Sequence, residues 1–169
     1  VVGFELIDRI GGLGDPEVNR IAVGIINEAF PMHLGAPVDL EPDGDRIRVV
    51  SENAAVSVDK VLLSMGRRPN IERLHLERLG IELDEKGLPA FDPETLQVAD
   101  LPVYIAGDVN AFMPVLHEAS HEGLVAGYNA VQDAPTAFKR KCPLVVAFTD
   151  PNIAVVGASW KDIEDRKPA

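Results

Sequence analysis

Positive charge is in short supply in this chain. Sixteen Lys and Arg stand against 27 Asp and Glu, for a formal net charge of −11. Nucleic acid and anionic membrane surfaces are bound through stripes of basic side chains, so neither is an expected partner. Long apolar runs are also missing, and nothing approaches the roughly 20 residues of a membrane span. The hydrophobic content of 46% is nonetheless enough for a buried core. There is one cysteine, Cys142, in an apparent linker beside Pro143. It can close no internal disulfide and has no partner at C-x-x-x-x-C spacing, so it reads as a bystander thiol in a reducing, cytoplasmic setting. An in-register G-x-G-x-x-G is absent too: Glu17 stands where the last glycine would follow Gly12 and Gly14, and the segment reads as a turn before a helix.

What is present is well punctuated. Asp15-Pro16-Glu17 supplies an N-cap acceptor, a proline with preset φ and an acid for the positive first turn. Val18, Ile21, Ala22, Ile25 and Ala29 follow at helical spacing and stop before Pro31, predicting one packed face. Residues 38–40 and 46–50 flank Pro42-Asp43-Gly44-Asp45, a hairpin signal. Residues 58–63 form a nearly continuous apolar run, as a buried strand requires. Near the end, two short strands are expected around Thr149-Asp150-Pro151-Asn152, with Trp160 a packing residue or an exposed edge.

Residues 103–129 (VYIAGDVNAFMPVLHEASHEGLVAGYN) admit two chemistries. His117-Glu118-Ala119-Ser120-His121 fits H-E-x-x-H, two imidazoles one helical turn apart with a carboxylate between them, as zinc peptidases use. The continuation argues against that: Leu124 and Gly127 stand where a metzincin has Gly and its third His, so no metal site is expected. The other reading takes the whole stretch as an apolar strand at 103–106, a Gly107-Asp108 loop, and a helix starting near Pro114. Ala119, Gly123, Ala126 or Gly127, and Ala130 share one face of that helix, predicting close backbone approach to a neighbour.

The second reading is carried by several segments in order. Residues 58–64 (VDKVLLS) run into Met65-Gly66-Arg67-Arg68-Pro69-Asn70. Then come residues 76–83 (LERLGIEL), Glu85-Lys86-Gly87, Thr95-Leu96-Gln97-Val98, the Gly107-Asp108 strand end, and Ala147-Phe148-Thr149-Asp150-Pro151-Asn152. Together they resemble the FAD-dependent pyridine nucleotide-disulfide oxidoreductases, with dihydrolipoamide dehydrogenase the nearest branch.

The resemblance implies an α/β fold, part of a flavoprotein with two dinucleotide-binding domains (FAD and NAD(P)) and the start of an α+β interface domain. Residues 1–66 correspond to the second half of the NAD(P)-binding domain, 67–140 to the returning segment of the FAD-binding domain, and 141–169 to the start of the interface domain. Gly107 and Asp108 are implied to face FAD, the Asp108 carboxylate accepting from the ribityl chain. The backbone amide of Leu116 is implied to face the flavin ring, with His117 in the pocket wall. The family often has Ala at the Leu116 position, but a backbone donor tolerates a changed side chain. Gly66 is implied to contact NAD(P) through its backbone. Arg67 and Arg68 are given no cofactor role, since adjacent arginines beside a proline are more often ion-paired. The family's FAD phosphate loop, second glycine fingerprint, redox Cys pair and C-terminal His-Glu pair are missing. The chain, opening on Val1 without Met, is therefore expected to be an internal piece of a longer homodimeric enzyme that acts on a small-molecule or lipoyl-type disulfide. It is expected to carry no catalytic residue and to be inactive alone. A zinc-dependent hydrolase using His117, Glu118 and His121 is the alternative.

Overall fold

In the computed structural model, which describes residues 1–165, the chain begins with a strand, a crossover helix and a second strand parallel to the first: β1 (Gly3–Glu5), α1 (Pro16–Ala29) and β2 (Met32–Leu34). A parallel pair cannot be closed by a tight turn, and the helix is the crossover that joins it. Asp15 caps α1, its Oδ1 accepting from the amides of Glu17 and Val18 at 2.8 and 3.2 Å, with Pro16 opening the first turn. Arg20 donates to Glu17 at 2.7 Å and holds that carboxyl below the usual carboxylate range, chiefly by the hydrogen bond and then by charge.

The packed face of α1 differs from the expected one. Ala22, Val23 and Ile26 pack on a small core of Ile10, Leu13 and Ile153, whereas Val18, Ile21 and Ile25 are exposed. The apolar positions of α1 wrap too far round the helix for one neighbour to cover them all.

The expected hairpin is present and extended by a third strand: β3 (Asp39–Asp43), β4 (Arg46–Val50) and β5 (Ala55–Val58) form an antiparallel meander. Gly44, at φ 61°, supplies the left-handed residue of the β3–β4 turn. Pro42 is carried on an edge strand, where a missing donor is tolerated. The strand expected over residues 58–63 is not formed. β5 ends at Val58, and Leu62 and Leu63 are exposed. An apolar run becomes a buried strand only with a bonded neighbour and a covering face, and among the described residues no strand lies alongside it. Near the end, β6 (Leu144–Ala147) and β7 (Ile153–Val156) pair antiparallel around the expected turn. A short helix α3 (Trp160–Glu164) follows, capped by Ser159. Trp160 lies against Gly14.

Among the described residues, 1–64 and 142–165 form one compact unit and 65–141 a second. The second unit is built on Ile71, Leu88, Val98 and Ile105, with Phe91, Val103 and Val109 packed against them. Its long helix is α2 (Leu116–Asn129). Among the described residues, no helix is long and apolar enough to cross a membrane.

Candidate functional site

The candidate site lies wholly within the second unit, where an extended segment, a tight turn and the start of α2 meet. Residues 103–106 are extended but make only a short ladder, the amides of Val98 and Ile105 donating to the carbonyls of Val103 and Leu96 at 2.9 and 3.0 Å. The chain then turns through a single stretch of 3-10 helix, Gly107–Asn110. Gly107 is buried at φ 79°, and a Cβ there would lie 3.2 Å from that of Ala119 on α2. Both the left-handed backbone and the close approach to the helix call for glycine.

This turn presents Asp108 outward. Its side chain is 44% exposed, and its Oδ2 accepts from Arg67 Nη1 at 3.2 Å. Helix α2 starts at Leu116 rather than Pro114, with Val115 as its N-cap. Valine brings no side-chain acceptor, so the first-turn amides, including those of Leu116 and His117, lack the usual cap and carry the positive end of the helix dipole. Leu116 is 86% exposed and His117 is exposed. The unit thus joins an outward carboxylate suited to a chain of hydroxyls with an uncapped helix start suited to an anionic edge. Gly66 sits at the boundary of this unit with φ 80°, in open surroundings.

The expected small-residue face of α2 makes its close approach at Ala119, against Gly107, but it is not the face that is buried. Gly123 and Gly127 look into open space, and the buried side chains are Glu118, Glu122 and Asn129. Glu122 Oε2 accepts from the Gly107 amide and from Asn110 Nδ2, both at 2.7 Å. Its Oε1 lies 2.7 Å from Arg140 Nη2 without an aligned N–H, and Arg140 Nη1 donates to Glu118 Oε2 at 3.3 Å. The Arg140 guanidinium also lies over the rings of Phe112 and Phe138, at 4.2 and 5.3 Å. Asn129 donates to the carbonyls of Thr95 and Thr136 and accepts from the Thr136 amide. The spacing of Glu118, Glu122 and Asn129 along one helical face is the signal that could have disclosed this polar seam.

The same arrangement bears on H-E-x-x-H. Glu118, which a peptidase would use as its base, is turned into the protein against Arg140. His121 packs edge-on to Phe138, ring centroids 5.2 Å apart. Among the described residues, no three His, Cys, Asp or Glu side chains are grouped to hold a metal ion. Cys142 is an exposed free thiol.

Residues 6–139 match the family described as pyridine nucleotide-disulphide oxidoreductase. Similar proteins include a dihydrolipoyl dehydrogenase of Chlamydia muridarum, 32% identical over 92% of this chain and 34% of that protein. A mercuric reductase of Staphylococcus aureus is 32% identical over 71% of this chain and 22% of that protein. The chain spans about a third of the length of the dihydrolipoyl dehydrogenases it matches over most of its own length. In fold it is similar to LpdA from Mycobacterium tuberculosis, with TM-score 0.81 and 23% identity over 98% of this chain and 36% of that one. The flavoprotein disulfide reductase RclA of Escherichia coli gives 0.79 at 20% identity, over 100% and 39%. The likeness confirms the α/β, two-dinucleotide-domain fold class, and the chain belongs to the pyridine nucleotide-disulphide oxidoreductase family.

Proposed function

We propose that this chain supplies part of the cofactor-binding framework of an FAD-dependent, NAD(P)-linked disulfide oxidoreductase of the dihydrolipoyl dehydrogenase kind. Residues 1–66 are assigned to the NAD(P)-binding domain, 67–140 to the returning part of the FAD-binding domain, and 141–169 to the start of the interface domain of a cytoplasmic homodimer. The observation that carries the reading is the Gly107–Asn110 turn, which presents Asp108 outward while resting on α2, whose own first turn has no side-chain cap.

The residues fit the flavin. Asp108 provides an acceptor for ribityl hydroxyls, with Oδ2 engaged by Arg67 and no hydrogen bond to Oδ1 among the described residues. Gly107 allows the turn to sit against α2. The amide of Leu116 and the start of α2 favour negative charge at the pyrimidine edge of the ring, and His117 stands next to them. Gly66 has φ 80°, and a Cβ added there would meet nothing within 4 Å; its backbone is the proposed contact for a nicotinamide nucleotide. When bound, a flavin of this class relays two electrons between a dithiol and a nicotinamide. The residues of this chain bind and orient it, and none is assigned to the redox step.

The isolated chain is therefore inactive with lipoamide and holds FAD weakly. Asp108 and one helix start supply only a few hydrogen bonds, each contributing about 0.5 to 1.5 kcal/mol net. Flavin content and NADH-dependent disulfide reduction of the purified chain test this, and a yellow protein with one FAD per chain would overturn it.

A further inference from the structure

Glu122 is fully buried on α2, yet its carboxylate serves a different segment. The two bonds of 2.7 Å that Oε2 accepts come from Gly107 and Asn110, the first and last residues of the turn that carries Asp108. One oxygen thus grips both ends of that turn. The other oxygen faces Arg140, which is itself held in place, its Nε donating to the Pro93 carbonyl at 3.2 Å and its guanidinium lying over Phe112. Burying a carboxylate is unfavourable unless partners compensate, and here Oε2 accepts two hydrogen bonds while Oε1 is compensated by the Arg140 charge. Asp108, by contrast, is held at its carboxylate by Arg67, whose side chain is 86% exposed. Its direction is therefore set by its backbone, and its backbone is held by Glu122.

We propose that Glu122 is a positioning residue for the flavin site: its buried carboxylate fixes the Gly107–Asn110 turn and so aims Asp108, with Arg140 as its counter-ion. This rests on the assignment of Asp108 to the ribityl chain. A carboxylate misplaced by about 1 Å loses most of the advantage of preorganisation, so an acceptor 14 positions along the chain from Asp108 governs how well Asp108 binds.

The test uses the longer protein that carries this chain, with FAD as the probe. FAD dissociation constants from flavin fluorescence are compared for Asp108→Ala, Glu122→Ala, Glu122→Gln and the Asp108→Ala/Glu122→Ala double variant, with amide hydrogen exchange read at Gly107. Glu122→Ala is expected to weaken FAD about tenfold and to speed exchange at Gly107. Glu122→Gln is expected to restore part of both, because its amide oxygen can still accept from Gly107 and Asn110, while the ion pair is lost and its NH2 faces the Arg140 guanidinium as a second donor. The double variant is expected to bind no more weakly than Asp108→Ala alone, the non-additivity of residues acting through one another. Should Glu122→Ala fail to fold, Asn110→Ala removes one of the two bonds, and the same non-additivity with Asp108→Ala is expected. Wild-type FAD affinity in the Glu122→Ala variant, or single effects that multiply in the double variant, would overturn the proposal. If Asp108→Ala itself binds FAD normally, the ribityl assignment fails instead. Gly107 exchange unchanged by Glu122→Ala would then overturn the clamp as well.

Discussion

Arg140 closes over Glu122, its Nη2 2.7 Å from Oε1, with the two side chains 19% and 1% exposed. The same guanidinium reaches Glu118, one turn earlier on α2. Two carboxylates at this spacing repel one another, and a single delocalised cation from beyond the end of the helix compensates both. This ties residues 138–140 to α2 and, through the Pro93 carbonyl, to the 92–97 turn.

Arg140→Met should destabilise the second unit by about 3 kcal/mol or more, because it strands two buried carboxylates without a counter-ion. Arg140→Lys should recover only part of the loss. A point charge cannot span both carboxylates or stack on Phe112 as a planar guanidinium does. Urea unfolding midpoints decide it, and a Met variant as stable as the parent would show that the pair contributes nothing.

How legible the structure is from the sequence depends on how local its causes are. Helix α1 can be read from Asp15-Pro16-Glu17 because cap and helix start are neighbours, and the β3–β4 turn follows from Gly44 for the same reason. The Gly107-Asp108 turn is legible through family resemblance, and its backbone explains why the glycine is there. The face of α2 is another matter. Ala119, Gly123 and Ala126 mark where a neighbour could approach, but burial goes to Glu122, Glu118 and Asn129, whose partners Gly107, Arg140 and Thr95 lie 15, 22 and 34 residues away along the chain, respectively. A hydropathy pattern carries no trace of such partners. The 58–63 run misleads in the opposite sense, since apolar composition alone cannot supply a strand with a neighbour.

Asn129→Ala should cost about 2 to 4 kcal/mol, since it removes three hydrogen bonds at a fully buried site and leaves the Thr95 and Thr136 backbone groups without them. Hydrogen exchange should quicken at Thr136, whose amide now donates to Asn129. Unchanged protection there would contradict the role assigned to Asn129.

Gly107→Ala should open the turn, because the new Cβ would lie 3.2 Å from Ala119 in a left-handed backbone that alanine adopts only at a cost of about 1 kcal/mol or more. A companion Ala119→Gly change relieves the contact but not the backbone cost, so it should restore only part of the lost thermal stability. Full restoration would mean that the close approach alone demands glycine.

Purified protein should contain less than one zinc per chain. Glu118 is committed to Arg140 and His121 to Phe138, and zinc sites need at least three protein ligands. Elemental analysis reads this directly. Stoichiometric zinc lost on His117→Ala or His121→Ala would revive the hydrolase reading.

In the longer protein, Asp108→Ala should weaken FAD retention far more than Cys142→Ser. Asp108 stands at the end of the extended 103–106 segment as the acceptor proposed for the ribityl hydroxyls, and losing a charge-assisted hydrogen bond to a bound cofactor costs about 1.5 to 3 kcal/mol, or roughly ten- to a hundredfold in affinity. Cys142 is exposed, lies in the other unit and is the sole thiol of this chain, so replacing it removes nothing from the proposed pocket. Flavin absorbance after dialysis of the two variants side by side makes the comparison. An Asp108→Ala variant that keeps its flavin would show that the strand end at residues 104–109 is not the ribityl-binding segment. Loss of thiol-dependent turnover in Cys142→Ser, with flavin retained, would instead place Cys142 in the redox chemistry.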